Sequence, residues 1–414
     1  MSNEDRLNNS KVFCMAPWVT MHAFADGRAY PCCYADSMRP LGNLRENSMR
    51  EVWNNELYKQ LRQRMLNEQP SKICNKCYEQ EQQGVFSMRR SINRSHGQYI
   101  DAVSKTAPDG TLDEFKLRYW DVRFSNLCNF SCRSCGPVFS SRWYNEHVKM
   151  FGVKPVANDR ELNVVEYAGA SKTDILEQME EHLPYIDQIY FAGGEPLIME
   201  EHYAILQRLI DLGRTDINIQ YNTNFSELTW KKTNVLDLWQ HFSNVSVGAS
   251  LDASGARAEL LRRGTDWSQI ERNRQRMMER TPHVDFYISA TVSAMNVLHV
   301  MDLHRDWCER GLIRAQDFHI NVLHSPVWYR VDILPNWFKQ SVVKPAIEKH
   351  LQWLAPHDQL DRASAGYRGL INLMMAEDRS NQLSTFRKQV QLLDQARGED
   401  FWSVFPELCV LNEN

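Results

Sequence analysis

From about residue 118 onward the chain alternates between two hydrophobic rhythms. Short runs rich in β-branched and aromatic residues recur as YWDVRFS (119–125), IDQIYFA (186–192), INIQYN (217–222), VSVGASL (245–251), FYISATVS (286–293) and FHINV (318–322). Each is of strand length and is bounded by turn residues. Between them lie longer stretches with apolar residues at helical spacing, including MEEHYAILQRLIDLG (199–213), SQIERNRQRMMER (268–280) and VLHVMDLHRDWCERG (297–311). Alternating strand and helix predict an α/β fold with a parallel sheet, six βα units over residues 118–325, arranged as an open sheet or an incomplete barrel. In either arrangement the ligand site lies at the carboxyl ends of the strands. Residues 326–414 read as helical, with WFKQSVVKPAIEKHLQWL (337–354) the longest stretch. Ahead of the alternating region, residues 1–80 are Cys-rich, and 81–117 read as a helix end plus a polar linker punctuated by Gly and Pro.

Composition narrows the function classes. With 43% hydrophobic residues, 24% charged and a formal net charge of −4, the 414-residue chain reads as an ordinary globular protein. No basic excess points to nucleic acid as a partner. No apolar run approaches 18 residues, and the start MSNEDRLNNSKVF lacks the apolar centre of a signal peptide, so no membrane is expected and the cytoplasm is the expected compartment. There, the ten cysteines read as metal ligands or reactive thiols rather than disulfides. Five lie between Cys14 and Cys77 and three between Cys128 and Cys135; Cys308 and Cys409 stand alone and are expected as small buried hydrophobes.

The stretch CNFSCRSC places Cys128, Cys132 and Cys135 on the loop after the first predicted strand. Chance would produce such spacing in roughly 0.6% of chains with this cysteine content, so the trio calls for a chemical reason. Three thiolates on a cubic iron–sulfur cluster leave the fourth iron open to a small molecule. A catalytic zinc uses the same logic of an open position, and a zinc knuckle short of one ligand is the structural alternative.

CNFSCRSC resembles the CxxxCxxC signature of the radical S-adenosylmethionine (radical SAM) enzymes, and further segments resemble that family. FAGGEP (191–196) after the second strand resembles its GGE motif, which implies that Gly193, Gly194 and Glu195, with Pro196 closing the turn, receive the methionine amino group of SAM. YNTN (221–224), SLDAS (250–254), LLRRGT and SATVSAMN (289–296) follow later strands. The resemblance implies SAM contacts for Asn222, Ser250, Asp252 and Arg262, and a place near adenine for Val292. It implies a partial (β/α)6 TIM-type barrel and a [4Fe–4S] cluster on Cys128, Cys132 and Cys135. It also implies reductive cleavage of SAM to a 5′-deoxyadenosyl radical, and hydrogen abstraction from a peptide, protein side chain or small molecule. A one-electron reductant such as flavodoxin or ferredoxin would be the partner. One departure is Ser134, where many members carry an aromatic residue before the third cysteine.

The N-terminal segment resembles the auxiliary-cluster modules called SPASM or twitch: FCMAPW, DGRAYPCC, LGNLRENSMREVWNN and CNKC. The resemblance implies an auxiliary [4Fe–4S] cluster on Cys14, Cys32, Cys74 and Cys77, with Cys33 as the spare thiol, for electron transfer or substrate binding. A structural zinc suits the same four thiolates. In the family this module follows the barrel; here it precedes it. His319 and His324 flank the last strand and are further substrate-side candidates. A non-catalytic iron–sulfur carrier would need the cysteines alone, and a zinc-stabilised binding protein neither iron nor SAM.

Overall fold

All six β-rich runs form strands in the computed structural model, which describes residues 2–82, 86–157 and 159–412: Tyr119–Val122, Gln188–Phe191, Asn218–Thr223, Asn244–Ala249, Asp285–Val292 and Phe318–Val322. The helical stretches between them form Glu200–Asp211, Trp267–Arg280 and Val300–Glu309. The fold is α/β. Two compact units divide the chain.

The first unit comprises Met1–Asn126, Val165–Gln220 and His241–Asn244. Its strands run in the order Gln188–Phe191, Tyr119–Val122, Thr20–Ala23, Arg28–Tyr30, Gly42–Asn43. Thr20–Ala23 pairs in parallel with Tyr119–Val122, from Thr20 opposite Tyr119 to Ala23 opposite Val122, and Tyr119–Val122 is parallel to Gln188–Phe191. The Cys-rich segment therefore adds strands to the same sheet as the first predicted βα unit, a junction that period-2 patterning alone did not signal in so short a strand. Every residue of Thr20–Ala23 and Tyr119–Val122 is buried, as expected of strands covered on both faces. Arg28–Tyr30 returns antiparallel to Thr20–Ala23 through an Asp26–Gly27 turn in which Gly27 holds φ +91°. A Cβ there would stand 2.4 Å from Asn43 Oδ1, so this turn requires glycine.

Within 81–117 the chain is more ordered than a linker. Ser87 caps the helix Met88–His96, and 3₁₀ turns follow over Gly97–Lys105; residues 83–85 lie outside the described residues.

The second unit comprises Leu127–Val164, Tyr221–Gln240 and Val245–Asn414. Its strands run Phe318–Val322, Asp285–Val292 and, from Val245 on, Asn244–Ala249, mutually parallel, and it also holds the end of Asn218–Thr223 from Tyr221. Asp266 caps Trp267–Arg280, which buries Ile270 and Met277. The expected helix over 337–354 is interrupted: Asn336–Phe338 passes through a π turn at Lys339–Val343 before Lys344–Leu354 resumes. Pro345 has no N–H for the regular ladder, which accounts for the wider turn just ahead of it. The lone cysteines are not core residues. Cys308 is half-buried, and Cys409 is exposed on a 3₁₀ turn where its thiol donates to Trp402 O (3.5 Å). Among the described residues, no helix is long and apolar enough to cross a membrane.

Candidate functional site

In the second unit the cysteine loop is pinned from several sides. The Cys128 N–H donates to Ser141 Oγ (3.1 Å), and Cys128 Sγ accepts from the Phe130 N–H (3.4 Å). Ser131–Cys132 forms a two-residue antiparallel ladder with Arg262–Arg263, Cys132 opposite Arg262. The Cys135 N–H donates to Cys132 O (3.0 Å), which sets the last two cysteines on one turn. Phe130 is buried beneath the loop, where Gly264 at φ +114° leaves room for it; a Cβ on Gly264 would come within 2.7 Å of the ring.

Charge organises the far side of the loop. Arg133, wholly buried between Cys132 and Cys135, pairs with Asp394 and with Glu399 (2.6 Å) from the C-terminal helical region. Arg397 donates to Ser131 O (2.7 Å) and to Glu146 (2.7 Å), and its guanidinium lies over the Trp143 ring. The Trp143 indole in turn donates to Cys132 O (2.9 Å). Buried arginines that each meet carboxylates and backbone carbonyls hold a loop in one geometry, because removing either partner strands a charge. The sequence reading missed this clamp, since nothing local in CNFSCRSC announces partners more than 250 residues away.

Asp252 and Arg262 come together as the resemblance implies, and they bind each other. Arg262 Nε lies 2.7 Å from Asp252 Oδ2 and Nη2 3.1 Å from Oδ1, while Nη1 reaches Cys132 Sγ at 3.7 Å. Asp252 Oδ1 also accepts the Thr291 N–H (2.7 Å). The guanidinium beside Cys132 opposes the effect of burial, which on balance pushes that thiol up; burial pushes Cys135 up to about 12. A small recess beside the loop is lined by Ser134, Asp252, Thr291, Ser293 and Asn296, with Leu261 and Met295. The position without an aromatic ring thus borders a polar recess. Ser250, whose N–H donates to Thr223 O (2.8 Å), follows the Asn244–Ala249 strand. Asn222 stands beside Gly248, where a Cβ would come within 2.7 Å of its Oδ1. Val292 is fully buried and does not line the recess. His319 packs on Tyr287 with ring centroids 4.4 Å apart.

In the first unit, Gly193 and Gly194 both take positive φ, +80° and +56°. A Cβ on Gly193 would lie 2.6 Å from Arg123 Cδ. Glu195 is buried and its Oε1 accepts the Leu197 N–H (3.0 Å), capping the short turn Pro196–Ile198.

Also in the first unit, Cys14, Cys32, Cys74 and Cys77 line one recess, with Ala16, Met65, Ile73 and Ile92 as apolar wall. Burial pushes all four thiols up, Cys74 to about 12. Cys33 does not line this recess; its thiol faces Asp121, whose carboxyl Arg123 and His22 help hold down to about 2. The donor set, four thiols lining an apolar hollow, has the chemistry of an iron–sulfur shell. Among the described residues, no three His, Cys, Asp or Glu side chains are arranged to hold a single metal ion. Arg89 stands beside Cys14 and Cys77, paired with Glu81 and donating to Phe13 O (2.7 Å) and Ser10 O (3.1 Å).

Comparison with known proteins gives one sequence-level result. Residues 14–78 match the family model of SPASM, an iron–sulfur cluster-binding domain, which spans all four recess thiols. No curated protein matches the chain. Among solved structures, native anSMEcpe with bound AdoMet aligns at 18% identity over 55% of this chain and 56% of its own, with a TM-score of 0.34. SuiB of Streptococcus suis bound to S-adenosylmethionine aligns at 12% identity over 72% of this chain and 63% of its own, with a TM-score of 0.38. The chain thus spans less than two thirds of either structure, and at these TM-scores neither likeness establishes a shared fold. Over residues 14–78 the chain carries a SPASM-type iron–sulfur cluster-binding domain.

Proposed function

We propose that the protein is a radical SAM enzyme with an N-terminal auxiliary cluster. The observation that carries this reading is the cysteine trio. Cys128, Cys132 and Cys135 sit on a loop pinned by Ser141, Arg262, Arg133 and Arg397, beside a polar recess. Such a loop offers three thiolates and no fourth, the donor set of a [4Fe–4S] cluster with one open iron. When bound, that cluster and SAM supply one-electron cleavage of the sulfonium and removal of a hydrogen from an unactivated carbon.

The chain's own residues bind and orient. Asp252 holds Arg262 in a two-point grip, so the guanidinium stays at Cys132 and complements negative charge there, whether thiolate or the carboxylate of SAM. Asn296 donates to Asp252 O (2.8 Å) and fixes the recess wall, which with Ser134 and Ser293 offers hydroxyl and amide groups to the ribose. In the first unit, Gly193 makes room for the Arg123 side chain, and Glu195 would bring a carboxylate suited to the methionine ammonium. Ser250 and Asn222 join the second unit's SAM-side set, while Val292 is a core residue.

In this reading the strands form a partial (β/α)6 barrel over 118–325. Residues 1–80 hold the auxiliary [4Fe–4S] cluster on Cys14, Cys32, Cys74 and Cys77. The 81–117 segment connects them, and 326–414 clamp the cysteine loop. The substrate is a peptide or small molecule, the reductant a flavodoxin- or ferredoxin-like carrier, and the compartment the cytoplasm.

Anaerobic reconstitution with iron and sulfide tests it. Two cubic clusters correspond to about eight irons per chain. With dithionite and SAM the loaded protein should release 5′-deoxyadenosine, and Cys132→Ala should release none. Four or fewer irons without cleavage would make it an electron carrier, and zinc alone a binding protein.

A further inference from the structure

A second cavity adjoins the four-thiol recess in the first unit. It measures about 900 Å³ and lies among residues 7–11, the helix Asn75–Gln82 and the helix Met88–His96. Arg89 lines both this cavity and the recess. Tyr78 shares the cavity wall and lies against Cys74.

The cavity is basic. Lys11, Arg90 and Arg94 line it, are exposed, and take part in no ion pair among the described residues. The single carboxylate on its wall, Glu81, is already paired with Arg89. The helix MRRSINRSH carries no acidic residue; Arg90 lies over the Phe86 ring, and Arg90 and Arg94 stand one turn apart as like charges. On a chain of net charge −4, a concentrated positive site of this size fits a negatively charged partner.

We propose that this cavity is the docking site of an acidic one-electron carrier protein, seated on Lys11, Arg90 and Arg94 so that one electron crosses between its cofactor and the auxiliary cluster, each changing oxidation state by one in opposite senses. The proposal rests on the auxiliary-cluster reading above. Attraction between such faces raises the association rate and weakens with salt.

The test uses cluster-loaded protein and a fluorescently labelled acidic flavodoxin, followed by anisotropy under anaerobic conditions. The double charge reversal R90E/R94E should weaken binding about tenfold at low salt and flatten its salt dependence. R276E, a charge reversal on the exposed face of Trp267–Arg280, should leave both unchanged. SAM cleavage driven by dithionite should be the same in all three proteins, while cleavage driven by flavodoxin should need more carrier in the double variant. Equal binding curves for wild type and R90E/R94E, or equal weakening by R276E, would overturn the docking site. Loss of dithionite-driven cleavage in the wild type would instead strike the enzyme reading and leave the binding result to stand.

Discussion

Arg262 and Asp252 are joined at two points, 2.7 and 3.1 Å, and the third nitrogen of the same guanidinium reaches the sulfur of Cys132 at 3.7 Å. One carboxylate thus sets where a positive charge stands relative to the Cys132 thiol. A lysine keeps the charge and loses the planar fork. Arg262→Lys should therefore retain iron but bind SAM about tenfold more weakly, read from the change in the reduced cluster's electron paramagnetic resonance signal on SAM titration. Wild-type affinity in that variant would remove the pair from the SAM site.

Two adjacent thiols should behave differently. Cys32 lines the four-thiol recess and Cys33 faces Asp121. Cys32→Ser should lose about one cluster's iron, roughly four atoms, whereas Cys33→Ser should keep the full complement. Iron and sulfide assays on the two purified variants decide between them.

The Gly193–Gly194 turn allows a stability test independent of cofactors. At φ +80°, with Arg123 2.6 Å from where a Cβ would be, Gly193→Ala meets both backbone strain and a side chain held by Asp121 at 2.9 Å. A cost of about 1–3 kcal/mol is expected. Chemical denaturation should show it as a lower midpoint with an unchanged slope.

Acid should destabilise the fold well above the carboxylate range. Burial pushes His182 and His350 down to about 4, and His202 and His304 down to about 3. A histidine depressed in the folded state is neutral there but charges in the unfolded chain near pH 6.5. Its contribution is whole above that pH and falls as the pH drops toward the folded value. Each should cost roughly 1.4 kcal/mol by pH 5.5. Thermal melts between pH 7.5 and 5.5 should fall steeply, and His202→Gln should reduce the slope by about one proton.

The strands of the alternating region were legible because each is a β-rich run long enough to stand out, and Phe318–Val322 matches its expected bounds. Thr20–Ala23 was not, since four residues between a helical turn and a Gly turn carry too little periodicity. Cysteine spacing marked both thiol groups, and the structure brings Cys14, Cys32, Cys74 and Cys77 to one recess and sets Cys132 and Cys135 on one turn. The Arg133–Asp394 and Arg397–Glu146 pairs were invisible for the opposite reason: they join residues distant in sequence, and charged residues look alike on a solvated surface and in a buried clamp. Cys409 misled because a lone cysteine's burial is decided by tertiary packing.

The parallel register of Thr20–Ala23 on Tyr119–Val122 bears on how the chain can be handled. A version trimmed to start after residue 80 would leave Tyr119–Val122 with a bare flank of unpaired amides and carbonyls, an invitation to sticking and misassembly. Expression trials on such a fragment should yield inclusion bodies. The cysteine-rich segment serves as a stave of the sheet as well as a metal holder, which gives it reason to be inherited with the rest rather than exchanged as a detachable accessory.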